Sequence, residues 1–267
     1  VGGTINIVTR NLDAKKGGFL SYGMGNDGMN KILFSVSSGI TKNGWAFTLM
    51  GGKNWGNGYI QGTAFEGYNW FASISKRINE EHQLTLTAFG APQWHDQRNS
   101  SYGGLTIADW KMVETVYGVK DHKYNPTFGY RSNGESYNSY RNSYHKPLIS
   151  LNHQWQINSK SSLSTSLYVS LGRGSGFSGQ GNTEFSPYSY TSWRGAYKGT
   201  LYDTFRRSDG TFDYAAIEEI NRTSEYGSAL IAARSNNSHD WYGLLSTYTT
   251  KIGQYLDFYG GIDYRFY

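Results

Sequence analysis

Polar and apolar residues alternate singly along most of this chain, and a period of two belongs to a strand with one face turned away from water. Between residues 161 and 172, Leu163, Thr165, Leu167, Val169 and Leu171 fall on one side, and Ser162, Ser164, Ser166, Tyr168 and Ser170 on the other. Between 255 and 266, Leu256, Phe258, Gly260, Ile262, Tyr264 and Phe266 oppose Tyr255, Asp257, Tyr259, Gly261, Asp263 and Arg265. Between 148 and 157, Ile149, Leu151, Trp155 and Ile157 oppose Leu148, Ser150, Asn152, Gln154 and Gln156. Noisier alternation runs through residues 19–25, 31–40, 45–55, 68–78, 83–91 and 241–251. The pattern predicts about nine strands, most of them near the ~9–11 residues that a tilted strand needs to cross a bilayer.

The connections separate a membrane barrel from a soluble sandwich. Thr41-Lys42-Asn43-Gly44, Asn79-Glu80-Glu81-His82, Asn158-Ser159-Lys160 and Ile252-Gly253-Gln254 are tight. Between them fall longer segments, residues 56–66, 92–146 and 173–240. Short turns at one end and long loops at the other are the habit of an outer-membrane barrel, while a compact soluble domain rarely carries loops of that length. The fold expected is therefore all-β, an antiparallel transmembrane β-barrel in part, with short helices in its long loops at residues 107–114 and 214–220. A lead-in turn at Ser208-Asp209-Gly210 is expected before the second helix.

Composition agrees. Aromatic residues make up 16% of the 267, with 23 Tyr and 34 Gly, a bias toward strands and turns. No apolar run of about 18 residues exists, which excludes a transmembrane helix. A mean hydropathy of -0.59 does not exclude a barrel, because every second residue of a spanning strand faces a wet interior. Trp45, Trp70, Trp155 and Trp241 lie near strand ends, where they are expected in interfacial girdles. The chain has no Cys, so disulfides and thiolate metal sites are absent. Its formal charge of +5 is spread without a dense basic run, which argues against nucleic acid and suits an anionic lipid surface. Val1-Gly2-Gly3 does not open a signal sequence.

No catalytic constellation stands out. The six His are scattered without a HExxH-type spacing. In Trp94-His95-Asp96 the neighbours would alternate faces. Gly172-Arg173-Gly174-Ser175-Gly176-Phe177, continuing to Gly181, lacks the Lys-Ser/Thr and the helix of a phosphate loop and reads as a flexible loop base. The candidates for ligand contact are loop aromatics and cations: Trp94, His95, Arg98, Tyr130, Tyr137, Tyr140, Arg141 and Tyr144. The tyrosines could equally pack the loop against its neighbours. Asp257, Asp263 and Arg265 should project into the barrel interior. No enzymatic activity, metal or cofactor is expected.

The first ten residues, Val1-Gly2-Gly3-Thr4-Ile5-Asn6-Ile7-Val8-Thr9-Arg10, resemble the last plug strand of TonB-dependent receptors, which precedes their first barrel strand. The stretches Phe89-Gly90-Ala91-Pro92-Gln93-Trp94-His95-Asp96-Gln97-Arg98 and Tyr144-His145-Lys146-Pro147 are similar to those of Bacteroidetes-type members. The resemblance implies residues 1–10 as the end of a plug and 11–267 as the N-terminal part of a barrel of about twenty-two strands. The chain is then expected to be a piece of a larger receptor, lacking the plug body and the TonB box. Loops would capture a scarce nutrient (a siderophore, cobalamin, haem, a glycan or a peptide), and the TonB complex would drive it through the barrel. Asp257, Asp263 and Arg265 would contact the plug. The partners implied are outer-membrane lipid and lipopolysaccharide, the TonB complex, the ligand and a surface lipoprotein. The rival readings are a passive porin, which predicts no plug strand and mostly short loops, and a surface adhesin, which the loops alone would allow. An outer-membrane lipase or protease would need a clustered triad or acidic dyad.

Overall fold

The computed structural model describes residues 14–98, 105–181, 196–197, 200–201, 203–225, 227–228 and 230–267. The resemblance at residues 1–10 lies outside them. In chain order the elements are β1 (Gly17–Met24), β2 (Asn30–Ser37), β3 (Trp45–Gly56), β4 (Phe65–Arg77), β5 (His82–Gly90), β6 (Gln93–Asp96), α1 (Ile107–Tyr117), β7 (Phe128–Tyr130), β8 (Ser136–Asn138), β9 (Arg141–His145), β10 (Leu148–Asn158), β11 (Ser161–Gly181), β12 (Ala196–Tyr197), β13 (Thr200–Leu201), β14 (Phe212–Asp213), α2 (Tyr214–Thr223), β15 (Leu230–Ile252) and β16 (Leu256–Phe266). A 3-10 turn, Asp121–Lys123, follows α1.

One antiparallel sheet dominates, in the order β1-β2-β3-β4-β5-β10-β11-β15-β16. These are the nine strands that the alternation predicts. β6 pairs with β4 and β9, and β9 with β11, so the sheet continues past β5 and β10 toward the long loops. Pro92 and Pro147 cause the two interruptions, since proline has no N–H for the ladder. Each still accepts through its carbonyl, Pro92 from the Tyr68 N–H at 2.8 Å and Pro147 from the Leu171 N–H at 3.3 Å. At the other end the tight turns close on short polar side chains. Asn79 Oδ1 accepts from the N–H groups of Glu81 and His82, and Asn158 Oδ1 from that of Lys160.

The register sorts the two faces. Val36, Leu49, Ala72, Ala88, Ile149, Val169, Tyr242 and Phe266 form one row across the sheet. Phe47, Ile74, Leu86, Leu151, Leu167, Leu244 and Tyr264 form the next row on that face. The opposite face carries Ser37, Thr48, Ser73, Thr87, Ser150, Tyr168, Gly243 and Arg265. The large apolar residues Phe47, Leu49, Ile149, Leu151 and Leu167 are 40–51% exposed, whereas Ser73, Ser75, Thr85 and Thr87 are 1–7% exposed. Apolar exposure of this extent marks the outer, lipid-directed face, and the crowded small polar residues mark the inner face. Trp45 and Trp155 lie on the outer face near the turns, and Trp70 lies on it toward the loops. Trp241 departs from the expected girdle. Its parity places it on the inner face, against His239 and Tyr267.

Four expectations need correction. Residues 173–240 are not one loop, because β11 runs to Gly181 and β15 begins at Leu230. Gly172 to Gly181 is therefore strand and not a flexible loop base. Glycine hides the alternation, with Gly172, Gly174 and Gly176 on the inner face and Arg173, Ser175 and Phe177 on the outer. Residues 92–146 likewise contain strand at both ends. Both loop helices form. α1 starts at Ile107 behind a Thr106–Asp109 capping box and ends at Gly118 in the left-handed region. α2 is capped by Asp213, whose side chain accepts from the Ala216 N–H, so the turn at Ser208-Asp209-Gly210 leads into β14 instead.

The face assignment predicts an asymmetry between neighbours. In the full-length protein in a bilayer, Leu167→Arg should cost about 2–4 kcal/mol of unfolding free energy near the midplane, and Ser166→Arg much less. Denaturant titration from lipid vesicles reads both, and equal costs would reverse the faces.

Candidate functional site

The two long loops fold together at one end of the sheet. β14 pairs in parallel with β7, and β7 antiparallel with β8. This joins residues 203–225 to residues 105–140. Phe212, Tyr214 and Ile217 form an apolar cluster with Tyr137, Phe205 and Ile220, while Leu105 and Tyr140 pack with Trp110. Buried polar bonds fix the junction. The Tyr124 phenol donates to the Gly210 carbonyl at 2.9 Å, and the Tyr214 phenol to that of Thr127 at 2.6 Å. Burial pushes the Tyr124 hydroxyl up to about 12 and raises that of Tyr214 further. Arg206 donates to the carbonyls of Pro126 and Gly210.

Other loops are tied to the same cap. Asn125 Nδ2 donates to the Gln61 carbonyl, and Asn138 Nδ2 to those of Gly62 and Gln97. Lys123 reaches Asp27 in the β1–β2 connection at 3.5 Å. Four connections thus converge into one cap.

The inner wall at the cap's end of the sheet carries a cavity of about 290 Å³. Asn142, Tyr144, Lys146, Asn237 and His239 line it, above the inner-facing glycines of β11. A Cβ on Gly172 would lie 2.3 Å from His239 Cε1, so only glycine lets that ring cross the strand. His95 meets Tyr144 edge-on at 6.5 Å and sits 3.2 Å from Gln97 Nε2. Lys146 makes no ion pair among the described residues. Nearer the turns lies an apolar row of Met50, Phe71, Phe89 and Leu148 that ends at Ser170 and Trp241. Amides that both donate and accept, aromatic faces and one ammonium suit reversible binding of a polar cargo. Among the described residues no group of three His, Asp or Glu could hold a metal ion.

The structure sends the sequence-predicted residues to different places. His95 and Tyr144 reach the inner wall. Trp94 and Arg141 lie on the outer face, where the Arg141 guanidinium stacks 4.1 Å from the Trp94 ring and binds Asp96 at 2.6 and 3.0 Å. Arg98 bonds the carbonyls of His122 and Tyr124 beneath Trp110, and burial lowers its pKa. Tyr130, Tyr137 and Tyr140 belong to the cap, with Tyr140 buried and Tyr137 packed edge-on against Tyr214 at 4.7 Å. Asp263 and Arg265 share the inner face and pair at 2.8 Å, and Asp257 stands opposite Lys251 in the register. Asn142, Lys146, Asn237 and His239 were not singled out from the sequence. Stepping by two from Tyr144 would have found the first two.

Glu218 holds α2 to the β7–β8 turn. Its carboxylate accepts from the Ser132 hydroxyl at 2.5 Å, the Ser132 N–H at 2.9 Å and Arg131 Nε at 2.6 Å. These bonds, those of Ser132 first, bring its pKa down to about 2. A depressed acid contributes stability above its unfolded value and loses it as pH falls through the folded one. The cap should therefore become sensitive to an acid-active protease between about pH 4.5 and pH 2. Glu218→Gln should be cleaved at pH 5 at a rate the native cap reaches only in acid. Identical pH profiles for the two proteins would remove Glu218 from this role.

No family model and no curated protein sequence matches the chain. Solved structures do. The ferric-catecholate import receptor Fiu from E. coli K12 is similar in its closed form, with a TM-score of 0.55 and 12% identity over 98% of this chain and 33% of that one. Its open form gives a TM-score of 0.57 and 10% identity over 96% of this chain and 35% of that one. The chain thus spans about a third of the length of these receptors, and at such identity the likeness is one of fold. The sheet has the antiparallel fold of part of a β-barrel wall.

Proposed function

We propose that this chain forms the N-terminal part of the wall of a TonB-dependent outer-membrane receptor that imports a scarce nutrient. The observation that carries the reading is the placement of the polar cavity. It lies on the inner wall at the loop end, while the apolar rows face outward. A cargo descending through such a barrel would meet His95, Asn142, Tyr144, Lys146, Asn237 and His239.

In this reading residues 1–10 are the end of a plug, and Asp257, Asp263 and Arg265 face it. The free edges of β1 and β16 would be paired by further strands, because lipid leaves no unpaired backbone group satisfied. The Bacteroidetes-type assignment rests on the residue 89–98 and 144–147 stretches. A siderophore, cobalamin, haem, glycan or peptide could each be the cargo.

Deletion of the full gene should abolish uptake of one such nutrient at limiting concentration, and loss of TonB should do the same. Tyr144→Ala with Asn237→Ala should weaken cargo binding about tenfold or more while the receptor still reaches the outer membrane. Unchanged uptake of every class of nutrient after deletion would refute the transport reading.

A further inference from the structure

At the turn end the outer face stops being apolar. The row after Phe47, Ile74, Leu86, Leu151 and Leu167 reads Trp45, Lys76, Leu84, His153, Thr165 and Ser246. The next row brings His82, Trp155 and Leu163 together. Tryptophans beside polar residues mark the layer where such a wall leaves hydrocarbon for water.

His82 and His153 meet in this layer. They are 71 residues apart in sequence, so no spacing motif reveals them. The register of β5 with β10 sets them on a diagonal, His82 opposite Trp155 and His153 opposite Leu84. His82 Nδ1 lies 3.1 Å from His153 Nε2. The rings are 5° from parallel, with centroids 5.3 Å apart. The centroids are much farther apart than the nitrogens, so the rings meet edge to edge with a nitrogen of each leading. Trp155 packs on His82 at 5.4 Å and holds its plane. Among the described residues neither ring makes another hydrogen bond. Lys76, in the same row as His153, is turned away from the pair. Its ammonium lies 4.9 Å from the Trp45 ring and donates to the Asn43 carbonyl at 2.6 Å. Glu80 and Glu81 precede His82 in the turn and favour positive charge there.

We propose that His82 and His153 chelate one divalent transition ion, Cu(II) most tightly, and so staple β5 to β10. Two imidazole nitrogens held at about 2.0–2.1 Å from one ion stand about 2.8–3.4 Å apart, from square to tetrahedral angles. The pair already has that spacing, with an N–H of one ring in the gap that the ion would take. Imidazole suits Cu, Zn and Ni, and Cu(II) leads the series. Water completes the shell, which makes this a site of micromolar strength. Nothing in the proposal depends on the cargo.

The test uses the full-length protein in nonionic detergent, without a histidine tag, and Cu(II) itself as the probe. Cu(II) should bind in the micromolar range with an electron paramagnetic resonance spectrum split by two nitrogen ligands, and Zn(II) and Ni(II) should compete less well. His82→Gln and His153→Gln should each weaken binding about tenfold or more, and the double variant little further, because one imidazole alone does not chelate. His122→Gln should change nothing. Trp155→Phe keeps both ligands, so it should retain the two-nitrogen spectrum while losing part of the fluorescence that Cu(II) quenches in the native protein. No Cu(II) binding below about 100 μM, a one-nitrogen spectrum, or undiminished affinity in either single histidine variant would overturn the proposal.

Discussion

The backbone ladder is the constraint on which the rest of this structure depends. A sheet that turns an apolar face to lipid has no water there to satisfy a missed N–H or C=O group. The nine long strands meet this with continuous antiparallel pairing. Pro92 and Pro147 show how closely it is kept. Each prevents donation at its own position, yet its carbonyl still accepts from a neighbouring strand. β6 and β9 therefore extend the wall instead of leaving it, and their side chains keep fixed faces. His95, Asn142 and Tyr144 point inward for that reason, while Trp94, Asp96 and Arg141 point outward.

The cap follows a different logic. Its apolar core is small: Phe212, Tyr214 and Ile217 form one cluster and Leu105 and Tyr140 another, with Val113 and Tyr124 also buried. Its order comes from buried polar groups that each reach a second segment. Asn138 is the clearest case, donating to Gly62 and Gln97 and accepting from Thr127 and the Tyr140 N–H. Leaving such a group unpaired in a buried place costs about 1–3 kcal/mol. The connections therefore hold one another, and displacing residues 203–225 would expose the partners of 124–139 as well.

The nine strands and both helices were legible because period two and helical composition are local properties. What escaped reading has physical causes. Glycines at 172, 174 and 176 keep the alternation in position but remove its polarity, so strand looked like loop. Trp241 has the composition of a girdle residue, but one residue of parity turns it inward beside Tyr267. The loop tyrosines could not be sorted from sequence at all. Tyr140 and Tyr144 are four residues apart, yet one is buried in the cap and the other lines the inner wall. Burial depends on which distant loop arrives, and no local pattern encodes that.

The distribution of charge then separates the two faces. On the outer face beyond the apolar rows, cations are largely paired across strands: Lys53 with Glu66, Arg141 with Asp96 and Arg173 with Asp240. Such pairs contribute little net attraction at a wet surface, but they keep charge out of hydrocarbon and fix the height of the wall in the bilayer. Inside, Lys146 stands among amides and imidazoles without a carboxylate partner among the described residues. An ammonium held so is available to a ligand without first breaking an ion pair. The same cross-strand register thus pairs most of the outward charge and leaves Lys146, on the inner wall, open to a ligand.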